Sequence, residues 1–93
     1  MEFKTGQVVR SLAGRDRNHH YVVVAVNDNR VLLADGAKRP LARLKPKNPQ
    51  HLAFAGVYID SANMNDDSIR QILRTSTAEQ SQLSNQGEEE ADG

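Results

Sequence analysis

The stretch that decides the fold covers residues 6–26 and reads GQVVRSLAGRDRNHHYVVVAV. Its first segment, residues 7–11, is a short run rich in β-branched side chains, which is typical of a β-strand. Residues 12–20 are polar, contain a glycine and predict a loop. Residues 21–26 form the strongest strand pattern of the chain. Because polar side chains do not alternate with the apolar ones there, we expect this strand either to be buried on both faces or to have one face packed and the other partly covered.

The next segment predicts a hairpin. Residues 27–29, Asn-Asp-Asn, favour a turn because Asn and Asp tolerate positive φ. Residues 30–34 are apolar after Arg30 and predict the returning strand. Asp35 and Gly36 then indicate a second tight turn, since this dipeptide is a strong hairpin signal.

Two further strands complete the predicted sheet. Residues 38–44 alternate in part and predict an edge strand, where Pro40 is tolerated because proline has no ladder donor. Residues 45–50 form a basic loop punctuated by proline, and residues 51–59 predict a last strand that runs past a glycine. Five short strands joined by tight turns favour a mainly β fold, a small five-stranded barrel.

A helix is predicted after the sheet. Asn65 can cap it, and Asp66 and Asp67 then lie in the first turn, where the helix dipole favours negative charge. An apolar stripe follows at helical spacing, formed by Ile69, Ile72 and Leu73. Asp66 and Arg70 are spaced for an ion pair across one turn of the helix.

The chain therefore divides into three predicted parts. Residues 1–60 are the barrel and residues 61–75 are a short C-terminal helical extension. Residues 76–93 are rich in Ser, Gln, Glu and Gly with a single leucine. Because this composition buries too little apolar surface to fold, we predict a disordered acidic tail.

Charge is distributed unevenly along the chain. The whole sequence has 12 Lys and Arg against 12 Asp and Glu, a net charge of zero. Residues 1–55 nevertheless hold ten basic and four acidic side chains, and residues 56–93 hold two basic and eight acidic ones. A basic part followed by an acidic tail favours a partner that is a polyanion.

Several classes of protein are disfavoured. The chain has no cysteine, so it has neither disulfides nor thiolate metal ligands. It has no apolar run as long as a membrane span and no secretory signal pattern. We therefore expect a cytoplasmic protein without membrane association, and we expect a monomer.

The candidate binding residues are cations placed in loops or at strand ends. Arginine suits phosphate recognition because its planar fork can contact two oxygens. Gly14, between the first two strands, either adopts positive φ and permits close backbone approach, or simply closes a tight turn. The predicted set of contact residues is Arg10, Gly14, Arg15, Arg17, His19, His20, Lys38, Arg39, Arg43, Lys45 and Lys47.

The same stretch resembles a KOW motif. Polar and apolar residues lead to Gly14, Arg15 to Arg17 follow as basic residues around an Asp, and a valine-rich strand comes next. Beyond it, Asp35-Gly36, residues 45–47, His51-Leu52 and the helix of residues 66–74 are similar to short bacterial KOW proteins related to large-subunit ribosomal proteins of archaea and eukaryotes. The resemblance covers residues 4–75 and implies an SH3-like barrel that binds RNA. Asn18 stands where many members have a second glycine, and Asn also accepts positive φ.

Other chemistry finds little support in the sequence. His19, His20 and His51 have no partners at metal-ligand spacing. Ser11 has no evident base beside it, and isolated glycines do not make a phosphate loop. The aromatic residues, Phe3, Tyr21, Phe54 and Tyr58, are scattered along the chain, which is typical of packing rather than base stacking. We predict no catalytic site, no metal site and no cofactor, and hence not an enzyme.

Two functions follow as expectations. The first is an RNA-binding, ribosome-associated protein in translation that contacts structured RNA, with ribosomal RNA and ribosomal proteins as the expected partners. The second is a protein-interaction module that docks on a ribosomal or transcription protein. It would use either an open strand edge or the helix face formed by Ile69, Ile72 and Leu73.

Overall fold

The computed structural model describes residues 2–76, so the tail predicted for residues 76–93 lies outside the described part except for its first residue. The fold is mainly β, a five-stranded antiparallel sheet with one short helix. The strands are β1 (Gln7–Ser11), β2 (His20–Val26), β3 (Val31–Ala34), β4 (Lys45–Lys47) and β5 (Leu52–Tyr58). Two 3₁₀ turns, Pro49–His51 and Ser61–Asn63, flank β5. Residues 66–76 form the helix, α1.

The strand order in the sheet is β4-β3-β2-β1-β5. β4 and β5 are the two edges, and no ladder joins them within residues 2–76, so the sheet is open. Register pairs Val8 with Val22 and Val22 with Ala34 across the three central strands. β5 continues through Gly56 with a bulge in its pairing to β1.

The middle of β2 is buried on both faces, which is one of the two arrangements that its sequence predicts, whereas Val26 at its end is 48% exposed. Val22 and Val23 are each 0% exposed although they point to opposite sides. One face carries a core of Phe3, Val9, Tyr21, Val23, Val31, Leu33 and Leu52. The other face carries Val8, Val22 and Ala34 and is covered by α1 through Ile69 and Leu73.

The helix begins as the sequence predicts but makes a different ion pair. The Asn65 side chain accepts the Ser68 backbone N–H at 2.8 Å, which caps α1. The predicted pair of Asp66 with Arg70 is wrong. Asp66 instead accepts the Leu41 N–H at 2.9 Å, and Arg70 pairs with Asp67. Ser76, which the predicted division assigns to the tail, is helical and buried.

The connection between β3 and β4 corrects two further predictions. Residues 38–44 contain no strand, and the strand that pairs with β3 is Lys45–Lys47, which the sequence predicts as a loop. Asp35-Gly36 does not close a tight hairpin. The Asp35 carboxylate accepts the N–H groups of Ala37 and Arg39, both at 2.8 Å, and so shapes a wider loop.

Candidate nucleic-acid interface

The loop between β1 and β2, residues 12–19, is a chain of tight turns. Gly14 has φ +86° and Asn18 has φ +73°, so the two positions expected to need or tolerate the left-handed region both adopt it. The Arg17 N–H donates to the Gly14 carbonyl and the His19 N–H to the Asp16 carbonyl. At its base the loop is closed by bonds between Ser11 and both Asn18 and His19.

Asp16 anchors this β1–β2 loop from the inside. Its carboxylate accepts the Ser11 hydroxyl at 2.9 Å, the Tyr21 hydroxyl at 2.7 Å and the Lys47 ammonium at 2.9 Å. The Lys45 ammonium lies 3.5 Å from its other oxygen. A carboxylate with this many donors fixes the turns around it.

The contacts around Asp16 shift the pKa values of Asp16 and Tyr21. Burial by itself raises the pKa of the Asp16 carboxyl, but hydrogen bonds from Lys47, Tyr21 and Ser11 and the charge of Lys45 outweigh burial. The pKa of Asp16 therefore lies well below its usual value. Burial, together with the neighbouring Asp16 carboxylate, raises the pKa of Tyr21.

The two arginines beside Asp16 project from the loop. Arg15 and Arg17 are both exposed, and neither guanidinium has a hydrogen bond or an ion pair within residues 2–76. Arg10, on β1 below them, donates to the Asn18 side chain at 2.9 Å and supports the loop. Hydrogen bonds thus hold the backbone of the loop, whereas the guanidinium groups of Arg15 and Arg17 remain unpaired within residues 2–76.

A second loop, residues 35–39, lies against the first. His19 Nε2 is 2.9 Å from Asp35 Oδ2, and the His19 ring meets Tyr21 edge-on, with ring centroids 4.6 Å apart. Burial raises the pKa of Asp35, but the N–H groups of Ala37 and Arg39 and the His19 side chain together lower it below its usual value. Lys38 is exposed on this loop, and the positive charge of Arg39 acts on the Tyr21 hydroxyl.

Most of the predicted contact residues therefore come together, but with different roles. The β1–β2 loop and the loop of residues 35–39 meet at one end of the sheet. Lys45 and Lys47 also lie there, yet they face Asp16, and the Lys47 side chain is only 11% exposed. Arg43 is exposed, and no side-chain contact ties it to this group within residues 2–76. His20 lies at the start of β2, half-buried.

Sequence reasoning missed two arginines near the same end. Arg70 and Arg74 lie on α1 and, together with Asn18 and His19, line a groove beside the β1–β2 loop. Their spacing of one helical turn in the sequence was the available signal, but only the packing of α1 brings them to the loop.

The aromatic residues divide into two groups. Phe3 and Tyr21 are buried in the core. Phe54 and Tyr58 form a tilted pair on β5 with ring centroids 5.1 Å apart, and Tyr58 is 61% exposed. Tyr58 pairs with Gln7 in the ladder, at the end of β1 away from the β1–β2 loop. Neither group therefore offers a base-stacking ring beside the exposed arginines.

Residues 2–76 offer neither a metal site nor a membrane-spanning helix. These residues include no group of three His, Asp or Glu side chains placed to hold a metal ion. No helix of this part of the chain has the length and apolar character that crossing a membrane requires. Comparison with known proteins adds no relative, since neither a family model nor a curated protein matches the chain.

Proposed function

We propose that this protein binds structured RNA through the phosphates that Arg15 and Arg17 contact. The observation that carries the proposal is the contrast within three consecutive residues: Asp16 turns inward to three hydrogen-bond donors, and the arginines on either side remain exposed and unpaired within residues 2–76. A loop that is already rigid loses little conformational entropy when its arginines bind.

The proposal includes an SH3-like barrel of the KOW type, in which the edge strands β4 and β5 approach each other without a ladder between them within residues 2–76. Lys45 and Lys47 support it because they tie the edge strand β4 to the β1–β2 loop through Asp16. The positive φ of Gly14, with basic residues directly after it, is the arrangement that the KOW resemblance implies. Asn18 at φ +73° removes the one departure from that pattern as an objection.

Duplex or hairpin RNA is the favoured class of target. Proteins read structured RNA mainly through phosphates, shape and 2′-hydroxyls, whereas unstructured strands need exposed stacking rings. The exposed cations Arg15 and Arg17 lie on the β1–β2 loop. The exposed Tyr58, which is paired with the half-buried Phe54, lies at the other end of β1. Ribosomal RNA, in the cytoplasm, is the candidate that we propose within this class.

Affinity purification from cells tests the proposal. The tagged full-length protein should retain RNA in long, structured fragments, and nuclease should release any ribosomal proteins that accompany it. A variant carrying Arg15→Glu and Arg17→Glu should lose the RNA, whereas Arg30→Glu should keep it, because Arg30 lies at the β2–β3 turn. Equal RNA recovery from both variants, or none from the unaltered protein, would contradict the proposal.

The second candidate function is a protein-interaction module, for which the sequence offers a helix face or a strand edge as the docking surface. The helix face formed by Ile69, Ile72 and Leu73 packs on the sheet, with Ile69 0% exposed, so it is not free to dock a partner. The edge strand β5, with its exposed Tyr58 beside Phe54, is the observation that favours this alternative. Partners that survive nuclease and are lost with Tyr58→Ser would support it over RNA binding.

A further inference from the structure

A groove of ≈ 570 Å³ runs between the β1–β2 loop and α1. His19 contributes one wall, Ala37 of the loop of residues 35–39 contributes to the lining, and Leu73 and Arg74 of α1 form the opposite side. Pockets that hold small molecules have volumes of about 300 to 1,000 Å³ and mostly apolar linings. This groove is therefore large enough for a single nucleotide.

The His19 ring gives the groove a flat, fixed surface. Its Nε2 is held at 2.9 Å by Asp35 and its ring rests edge-on against the buried Tyr21. The side chain is nevertheless 47% exposed, so part of the imidazole remains accessible. Unpaired bases stack on histidine rings as on other aromatic side chains. Leu73 and Ala37 add apolar surface beside it.

The groove also carries positive charge at its helix side. The guanidinium of Arg70 is committed, since it donates to the Gly36 carbonyl and pairs with Asp67. Arg74, one turn further along α1, is exposed and has no partner within residues 2–76. The Asp35 carboxylate also lines the groove, but it is only 8% exposed and is held by two backbone N–H groups and the His19 ring.

We infer that the groove binds an unpaired nucleotide of the RNA, with its base against His19 and its phosphate at Arg74. The inference rests on the proposed function. Asn18 and His19 belong both to the β1–β2 loop and to the groove, so a duplex held by Arg15 and Arg17 presents a neighbouring bulge to it. The preferred RNA is then a stem with one bulged nucleotide rather than a perfect duplex.

Two RNA hairpins that differ only by one bulged uridine test the inference. Fluorescence anisotropy with the full-length protein should give about fivefold or tighter binding to the bulged hairpin, the gain that one stacked base supplies. Arg74→Ala should abolish that preference, and Arg30→Ala should preserve it. His19→Ala should also abolish it, whereas His19→Phe, which keeps a flat ring, should restore it.

A crosslink locates the nucleotide directly. With 4-thiouridine at the bulge, the crosslinked peptides should contain His19 or Ala37. Equal affinity for the two hairpins, a preference that survives Arg74→Ala, or crosslinks confined to β4 and β5 would overturn the inference while leaving RNA binding intact. Failure to bind either hairpin would overturn the proposed function and this inference with it.

Discussion

Lys47 on the edge strand β4 donates to Asp16 in the β1–β2 loop, with Nζ 2.9 Å from Oδ1. The same ammonium donates to the Ala13 carbonyl at 3.1 Å. One side chain thus joins the short edge strand to the loop and satisfies a polar group of the loop backbone. Lys47 therefore stabilises the loop, whereas Arg15 and Arg17 remain available to bind a ligand.

Removing the Asp16 charge should destabilise the protein. Asp16→Asn leaves the half-buried Lys45 and Lys47 without their counter-charge, and we expect a loss of about 2 kcal/mol in the free energy of unfolding at neutral pH. Urea denaturation monitored by circular dichroism measures it. Asp28→Asn, at the exposed β2–β3 turn, is the control and should change stability little. Equal stability of the two variants would contradict the anchoring role.

The same substitution should change the acid response. The pKa values of Asp16 and Asp35 are lowered in the folded state, so both groups stabilise the protein above their unfolded pKa of about 4. That stability is lost as pH falls below this value towards the folded pKa. Asp16→Asn removes one of the two contributions, and we expect a shallower fall in unfolding free energy between about pH 4 and about pH 2. An unchanged slope would mean that Asp16 has an ordinary pKa.

Gly14 should tolerate asparagine better than valine. A Cβ at this position would meet only side-chain atoms at 3.7 Å or more, so the cost comes from φ +86° rather than from a clash. We expect Gly14→Val to cost about 1 to 3 kcal/mol and to weaken RNA binding. Gly14→Asn should cost less, because Asn adopts the left-handed region more readily. Thermal melting and anisotropy compare them, and equal losses would argue against a backbone role.

The packing of α1 predicts a large effect at its centre. Ile69 is 0% exposed against Val8, Val22 and Ala34, and Ile69→Ala should cost about 2 to 5 kcal/mol of stability. Gln71→Ala, on the exposed side of the helix, is the matched control. An Ile69→Ala variant as stable as the control would mean that the helix face is free for a partner after all.

The acidic tail should compete with RNA at low salt. Residues 77–93 carry five acidic side chains and no basic one. Replacing these with Gln and Asn keeps the chain length and removes the charge. If the tail folds over the exposed arginines, this variant should bind RNA more tightly at low salt, with the gain shrinking as salt screens the charges. Affinity that is unchanged at every salt concentration would leave the tail a role in solubility alone.

The sequence was sufficient for the elements whose pattern is local. β1, β2, the β2–β3 turn and the capped helix follow from β-branched runs, turn residues and an N-cap. β4 could not be predicted in this way, because Lys45-Pro46-Lys47 has no strand pattern. Its place in the sheet depends on contacts with Asp16, distant in the chain.

The same distinction between local pattern and tertiary contact applies to the candidate site. Basic residues in a predicted loop are expected to be exposed, so the sequence was sufficient to identify Arg15 and Arg17. Lys45 and Lys47 are equally basic, but only the tertiary structure tells that their charges are already paired with Asp16. Arg74 was missed for the converse reason, since only the packing of α1 brings it next to His19.

The salt dependence of RNA affinity tests the central claim most directly. A plot of log affinity against log salt, from about 50 to about 200 mM, should fall with a slope of about −2 to −3 for a structured hairpin, since a few exposed cations neutralise phosphates. Arg15→Ala and Arg17→Ala should each reduce the slope by about 1, and Arg30→Ala should leave it unchanged. A flat plot, or equal losses from Arg15→Ala and Arg30→Ala, would contradict RNA binding through the β1–β2 loop.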